Sequence, residues 1–233
     1  MNKKKEILNK AYKNCKQPIS RMEYNLILDM IENNPSILDL GCGDGSLSKR
    51  LIEEKGCKVI GLDLSEEAVK LARKNGIDAR VGDLEKRLDF ESNSFDYVIL
   101  CDVLEHLFDP LFSLKEALRV SKKYVIIAFP NFAFFKSRFQ LMFKGEFPKS
   151  PLFGRAWYNS QHIRLFSYKD FIHTIKVLNF QVKINKKSFI YPRFIPSMLV
   201  NAFPNLLSIV CVLRLKKKPN WDLSRIATYS FDV

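Results

Sequence analysis

The segment Asp39-Leu40-Gly41-Cys42-Gly43-Asp44-Gly45 combines residue types and spacing suited to holding a ligand. Glycines at alternate positions let the backbone turn sharply and let a ligand approach with no Cβ in its way. An acid, Asp39, stands just ahead of them. A second, Asp63, follows about 20 residues past the glycines, and a third lies in Gly82-Asp83-Leu84. Each acid adjoins the end of an apolar, strand-like run, and open α/β sheets bind ligands at the carboxyl ends of their strands. Asp63 is placed to accept from ribose hydroxyls. Asp83 could accept from the exocyclic amine of an adenine, with Leu84 against the ring. Any one of these acids alone is more often a helix cap. All three at successive strand ends, together with the glycine loop, predict nucleoside binding.

The glycine spacing narrows the nucleoside. A dinucleotide loop prefers G-x-G-x-x-G, which sets a pyrophosphate on a helix N-terminus. Here the sixth position is Ser46 and the glycines run G-x-G-x-G. A carboxylate is unwelcome beside a pyrophosphate and useful beside an ammonium group. Asp39 therefore fits S-adenosylmethionine (SAM), with its amino-acid tail and sulfonium, better than NAD. Methyl transfer from such a donor is an in-line displacement that needs positioning above all. It needs a base only where the acceptor must first lose a proton.

His106, just past the fourth strand, is the candidate base; a packing or loop-capping histidine is the alternative. Trp157, Tyr158, His162 and Arg164 offer stacking and anion contacts to an acceptor. They fall in 131–166, an aromatic and basic stretch expected to cover the acceptor site. Phe132, Phe134, Phe135, Phe139, Leu141, Met142 and Phe143 alternate there with Lys136, Arg138 and Lys144. Either a lid helix packed on the sheet or a face for a partner or membrane would account for them.

The elements that must carry these groups follow from periodicity. Residues 1–34 read as an N-terminal helical segment, with Leu26, Ile27, Met30 and Ile31 at helical spacing before Pro35. Strands are expected at 37–40, 58–62, 77–81, 95–100 and 124–129. Between them lie helices at 46–55, from the Ser65 N-cap to Asn75-Gly76, and from Asp109-Pro110 onward. Strands alternating with helices of this length predict a parallel sheet with right-handed crossovers. After Pro130 the beat breaks. A helix resumes at 167–178 behind an imperfect capping box, Ser167-x-x-Asp170. Last strands are expected at 180–184 and 208–215. The fold class is α/β, a single Rossmann-like domain over 35–216, with a tail at 217–233.

Composition bounds the rest. The chain has 233 residues, 47% of them apolar, enough for one sizeable core. Its five cysteines are scattered and form no CxxC pair, which predicts a reducing compartment and neither a disulfide framework nor a zinc site. The Lys-rich start has no apolar run behind it, so no secretory signal is read and a cytoplasmic location is expected. The net charge is +13, but its lysines are spread along the chain, which points to a solvated surface rather than a nucleic-acid face. An RNA methyltransferase stays open as a weaker option and would bind RNA with steep salt dependence. The uncharged run 194–213 could span a bilayer by length. Pro196 and Pro204, beside Asn201 and Asn205, instead predict a loop leading into a buried last strand.

The run ILDLGCGDG, Asp63, GDL at 82–84 and FDYVILCDVLEHL at 95–107 resemble the class I SAM-dependent methyltransferases. Within them, Arg21 to Ile31, SFDYVIL, AFPNFAFFKSRFQLMFKGEFP, AWYNSQHIRLFSYKDF and the ending FPNLLSIVCVLRLK resemble the MetW branch, named for methionine biosynthesis. The resemblance implies a mostly parallel seven-stranded sheet with helices on both faces. It implies SAM contacts from Asp39, Gly41, Gly43, Gly45, Asp63, Asp83 and Leu84, with Cys42 and Leu64 alongside and Cys101 near the methionine portion. DVLEHL and HIRLFS are patterns of the wider superfamily, including ubiquinone-pathway O-methyltransferases. Resemblance to some of those suggests that Asp102, Glu105 and His106 could hold a divalent metal; the reading adopted is that no metal is used. Two functions stay open. One is methylation of a small-molecule acceptor. The other is a SAM-binding regulatory role toward homoserine O-acetyltransferase, the partner that the MetW resemblance implies.

Overall fold

A computed structural model describes residues 3–13, 21–148 and 160–227. The chain forms a seven-stranded sheet in the order β3-β2-β1-β4-β5-β7-β6. Its strands are β1 (Ser36–Leu40), β2 (Lys58–Asp63), β3 (Asp78–Val81), β4 (Phe95–Cys101), β5 (Ser121–Pro130), β6 (Val182–Ile190) and β7 (Val210–Lys217). The first five pair in parallel. β7 lies between β5 and β6 and runs antiparallel to both, so the sheet is mixed but mostly parallel.

Alternation along the central strands makes two cores. Ile37, Tyr97, Ile99, Ile126 and Ala128 face one side, against Tyr24 and Ile27 of α2 (Glu23–Leu28) and Leu47 and Leu51 of α3 (Ser46–Lys55). Leu38, Val98, Leu100, Val125, Ile127 and Phe129 face the other. There they meet Leu114 and Leu118 of α5 (Pro110–Val120) and Phe171 of α7 (Tyr168–Val177). Strands buried on both faces favour apolar residues throughout, which is why β1, β4 and β5 read as largely apolar runs. α4 (Glu66–Lys74) begins at Ser65, whose hydroxyl accepts from Ala68 N at 3.2 Å. The capping box of α7 is complete: Ser167 Oγ accepts from Asp170 N at 3.2 Å and Asp170 Oδ2 from Ser167 N at 2.9 Å. The shorter Asp side chain thus closes the box in place of Glu.

Three expectations need correction. The loop expected before the last strand contains α8 (Ser197–Ala202) and α9 (Pro204–Leu207). Pro204 sits at the first helical position of α9, where its missing N–H costs nothing. β6 runs over 182–190, not 180–184, because its edge position tolerates the polar stretch Lys183 to Lys187. The 131–166 stretch does contain a helix, α6 (Phe135–Lys144), but α6 does not pack its apolar side on the sheet. Phe139, Met142 and Phe143 are 54%, 68% and 69% exposed, and Ser137 is its one buried residue. The Phe139 and Phe143 rings stack on each other at 5.4 Å instead.

The helical reading of 1–34 resolves into α1 (Lys3–Lys13) and α2, and residues 23–31 enter the core through Ile27, Met30 and Ile31. α1 crosses the carboxyl end of the sheet. Lys4 pairs with Glu85 at 2.8 Å and Lys5 with Glu66 at 2.7 Å. Among the described residues no helix is long and apolar enough to cross a membrane.

Candidate functional site

The site lies where β1 and β2 end. Gly41 N and Cys42 N both donate to Leu62 O, at 2.7 and 3.0 Å, which lashes the glycine loop to β2. Gly43 has φ +58° and Gly45 +78°, left-handed values that an L side chain adopts only with strain. The loop then enters α3 behind Asp44, whose carboxylate accepts from Ser46 N at 3.1 Å and Ser46 Oγ at 2.8 Å. The Cys42 side chain turns toward the sheet; a Cβ on Gly61 would meet its Sγ at 2.7 Å.

Asp39 and Asp63 flank this loop and are buried. Asp39 Oδ2 accepts from Ser48 Oγ at 2.6 Å, and burial pushes its carboxyl up to about 6. Asp63 Oδ2 accepts from Gly43 N at 3.0 Å and Oδ1 from Ser65 N at 2.8 Å. Burial raises Asp63 as well, against those N–H donors, which lower it. Among the described residues neither acid forms an ion pair.

Tyr12, Arg21, Tyr24, Asp39, Gly43 and Cys101 line the cavity at this loop, whose volume is about 30 Å³. That is space for about one water. A Cβ on Gly43 would fall 2.8 Å from the Tyr12 hydroxyl. Asn9, one turn earlier on α1, accepts from Ser65 Oγ at 2.7 Å, beside Asp63. Sequence reasoning did not assign Tyr12, Arg21 or Tyr24 to the site; the only signal was their position ahead of the glycine loop. Arg21 pairs with Asp102, a residue at φ +52° just past β4.

The third acid is more open. Asp83 Oδ1 accepts from Glu85 N at 3.1 Å, and Lys86 approaches Oδ2 at 3.8 Å. Leu84 is buried in the core that contains Leu62 and Leu114, and its carbonyl accepts from Ser113 Oγ at 2.8 Å. Leu64 lies half-buried between Asp63 and the α4 cap. Cys101 lines the cavity at the loop, and burial holds its thiol well above the usual range.

On the acceptor side, His106 belongs to a 3-10 turn, Leu104–His106. Its Nδ1 lies 2.9 Å from Gln161 O. A carbonyl only accepts, so Nδ1 carries the proton and Nε2 keeps its lone pair. Burial lowers the His106 pKa, which keeps the ring neutral. His162 packs edge-on to it with centroids 4.7 Å apart. Glu105 O accepts from Ile163 N at 2.9 Å and Arg164 N at 3.0 Å, which ties the 160–166 segment to the turn. Arg164 Nη2 donates to Phe108 O at 2.6 Å, so its guanidinium holds that loop. Trp157 and Tyr158 lie outside the described residues. A larger basin of about 370 Å³, lined by Glu32, Lys122, Lys123, Tyr124, Lys216 and Lys217, opens near the start of β5. That is the amino end of the parallel strands, opposite to the glycine loop, and we do not assign the site there.

This topology, with β7 inserted antiparallel beside β5 and a glycine loop after β1, defines a class I methyltransferase fold. A possible histamine N-methyltransferase from Thermotoga maritima superposes with a TM-score of 0.60 at 21% identity, covering 84% of this chain and 89% of that one. A magnesium protoporphyrin IX methyltransferase from Synechocystis, solved with S-adenosylhomocysteine (SAH), gives 0.58 at 18% identity, covering 92% and 83%. Within that class the chain belongs to the MetW family: the family model for "Methionine biosynthesis protein MetW" matches residues 21–215. It is 32% identical over 163 residues to the bifunctional methionine biosynthesis protein MetXA/MetW of Rhodopirellula baltica, covering 66% of this chain and 26% of that protein. It is also 32% identical over 108 residues to a ubiquinone biosynthesis O-methyltransferase of Hahella chejuensis, covering 42% and 45%. The chain thus spans less than half the length of these curated relatives.

Proposed function

We propose that the chain binds SAM at the glycine loop and transfers its methyl group to a small-molecule acceptor. The observation that carries this reading is the pair of buried carboxylates, Asp39 and Asp63, that flank a left-handed glycine loop and have no cationic partner among the described residues. Two buried acids raised by desolvation favour a ligand that brings positive charge and hydroxyl donors. SAM brings both, and when bound it supplies a methyl carbon already activated by the sulfonium.

The chain's own groups have separable tasks. Asp63 accepts from ribose hydroxyls, Asp83 faces the base, and the 41–45 backbone holds the amino-acid portion, with Arg21 beside it. Asp39, held by Ser48 at the start of α3, meets the ligand's ammonium group. His106, neutral with a free Nε2 lone pair, takes the proton from the acceptor. His162 and Arg164 shape the acceptor side, Trp157 and Tyr158 being assigned there from sequence alone. The cavity of about 30 Å³ means that Tyr12 and α1 must yield as the ligand enters. The four described cysteines are free, which is consistent with the cytoplasm.

Calorimetry with SAM and SAH on the purified chain tests the binding step. Mass spectrometry of a cell extract incubated with labelled SAM tests the transfer. A folded chain with no measurable affinity for either nucleoside would end this reading. A second reading is favoured by family membership and by the fused MetXA/MetW relative. In it, the SAM-bound chain regulates a homoserine O-acetyltransferase, and the exposed aromatic side of α6 offers a contact face. Pull-down with that enzyme, with and without SAM, separates the two. Activation of the partner without a methylated product supports regulation and counts against catalysis.

A further inference from the structure

Glu105 is a carboxylate with no exposed surface, and among the described residues neither of its side-chain oxygens accepts a hydrogen bond. Leaving a buried carboxyl without a partner costs free energy, so a native site of this kind calls for an explanation. His106 and His162 stand beside it. One ligand-type atom from each of the three residues lies within 4.8 Å of the other two. The turn and the 160–166 segment that supply them are fastened by the two backbone hydrogen bonds to Glu105 O.

We propose that Glu105, His106 and His162 form a binding site for a first-row divalent cation, with zinc as the first candidate. Two imidazoles and one carboxylate match the donor set of open zinc and related transition-metal sites, and are too nitrogen-rich for magnesium or calcium. Ligands bonded at about 2.0–2.2 Å around a tetrahedral ion lie roughly 3.3 Å apart, so the three groups need to draw in by about 1.5 Å at most. The tautomer of His106 is set by its partner. Donation from Nδ1 to Gln161 O leaves Nε2 as the lone-pair nitrogen, the arrangement that backbone carbonyls impose on metal-bound histidines.

Local charge points the same way. Glu23 and Asp102 both approach Arg21, and Glu105 lies in the field of all three. Arg21 is taken up by Glu23 and Asp102 and, among the described residues, donates no hydrogen bond to Glu105. The structure also corrects the sequence-level grouping of Asp102 with Glu105 and His106: Asp102 is taken by Arg21, and His162, remote in sequence, takes its place. With the site filled, His106 serves as a ligand rather than as the base.

The inference is independent of methyl transfer. After chelator treatment, the chain is titrated with Zn²⁺ by calorimetry and with Co²⁺ by visible absorption. One equivalent should bind, with d–d bands of a nitrogen/oxygen site, and excess Mg²⁺ should not displace it. Glu105→Gln and His162→Ala should each weaken binding by more than about a hundredfold, beyond the loss typical of outer-shell changes. His173→Ala, at the chain's one other histidine, exposed on α7, should leave it unchanged. Circular dichroism confirms that each variant is folded. Absence of saturable binding in the folded chain overturns the proposal, as does binding indifferent to Glu105→Gln and His162→Ala. SAH affinity measured alongside shows whether the nucleoside reading stands or falls separately.

Discussion

The Tyr12 hydroxyl of α1 stands where a side chain on Gly43 would begin: a Cβ built there lies 2.8 Å from the oxygen. The N-terminal helix therefore rests on the backbone that would receive the ligand. A protein whose binding-competent form is only partly populated shows an affinity reduced by that fraction. Tyr12→Ala should then raise SAH affinity, by roughly 3–10-fold for a contact of about 1 kcal/mol. Calorimetry decides it. Weaker binding by the variant would show that α1 caps the ligand instead of obstructing it.

Asp63 joins the glycine loop to the start of α4 through Gly43 N and Ser65 N. Asp63→Asn keeps its shape and removes its charge. The expected result is SAH affinity lower by about tenfold or more, with a stability loss of about 1 kcal/mol, since charge-assisted bonds contribute about 1.5–3 kcal/mol. Unchanged affinity in a folded variant would remove Asp63 from the site.

Gly45 tests backbone strain against space. At φ +78°, an added Cβ would meet Ile77 Cγ1 at 2.8 Å and Ala72 Cβ at 3.1 Å. Gly45→Ala should cost about 2–4 kcal/mol, from the left-handed penalty and the overpacking together. Gly76 has φ +85° with nothing within 4 Å, so Gly76→Ala should cost only about 1–2 kcal/mol. Urea unfolding of the two variants gives the comparison, and equal losses would refute the packing argument.

Glu23 supplies a pH dependence. Burial, followed by the neighbouring Asp102, raises its carboxyl to about 8 from the ordinary 4.5. Below pH 4.5 the folded and unfolded chains both hold this proton. Between 4.5 and 8 the unfolded chain releases it while the folded chain keeps it, so this group's contribution to stability falls as pH rises. Glu23→Gln should remove that part of the slope, leaving the variant less destabilised than the parent between pH 5 and pH 8.5. Denaturant melts at the two pH values check it, and parallel losses in parent and variant would contradict it.

Local pattern carried much of this fold. Largely apolar runs located β1, β2, β4 and β5, because strands covered on both faces leave little room for polar residues. Ser65, Asp109 and Ser167 marked helix starts, because an N-cap uses only atoms a few residues apart. The glycine loop and its following acids were legible for the same reason. Where the pattern was mixed, as at β6 and in 194–213, competing turn and strand signals could not be ranked without knowing which face is covered.

The residues that complete the site were settled by contacts between distant segments. Tyr12 over Gly43, Arg21 on Asp102 and His162 beside Glu105 each join residues that are 31, 81 and 57 positions apart. No local periodicity encodes such a meeting, because it depends on how the chain packs across the end of the sheet. Sequence alone determined the α/β scaffold and located the glycine loop with its flanking acids. Tertiary structure decided which charges are paired, which carboxylates stay buried with no cationic partner among the described residues, and that Tyr12 stands over Gly43. Desolvation and charge pairing act through space, and only the folded chain sets those distances.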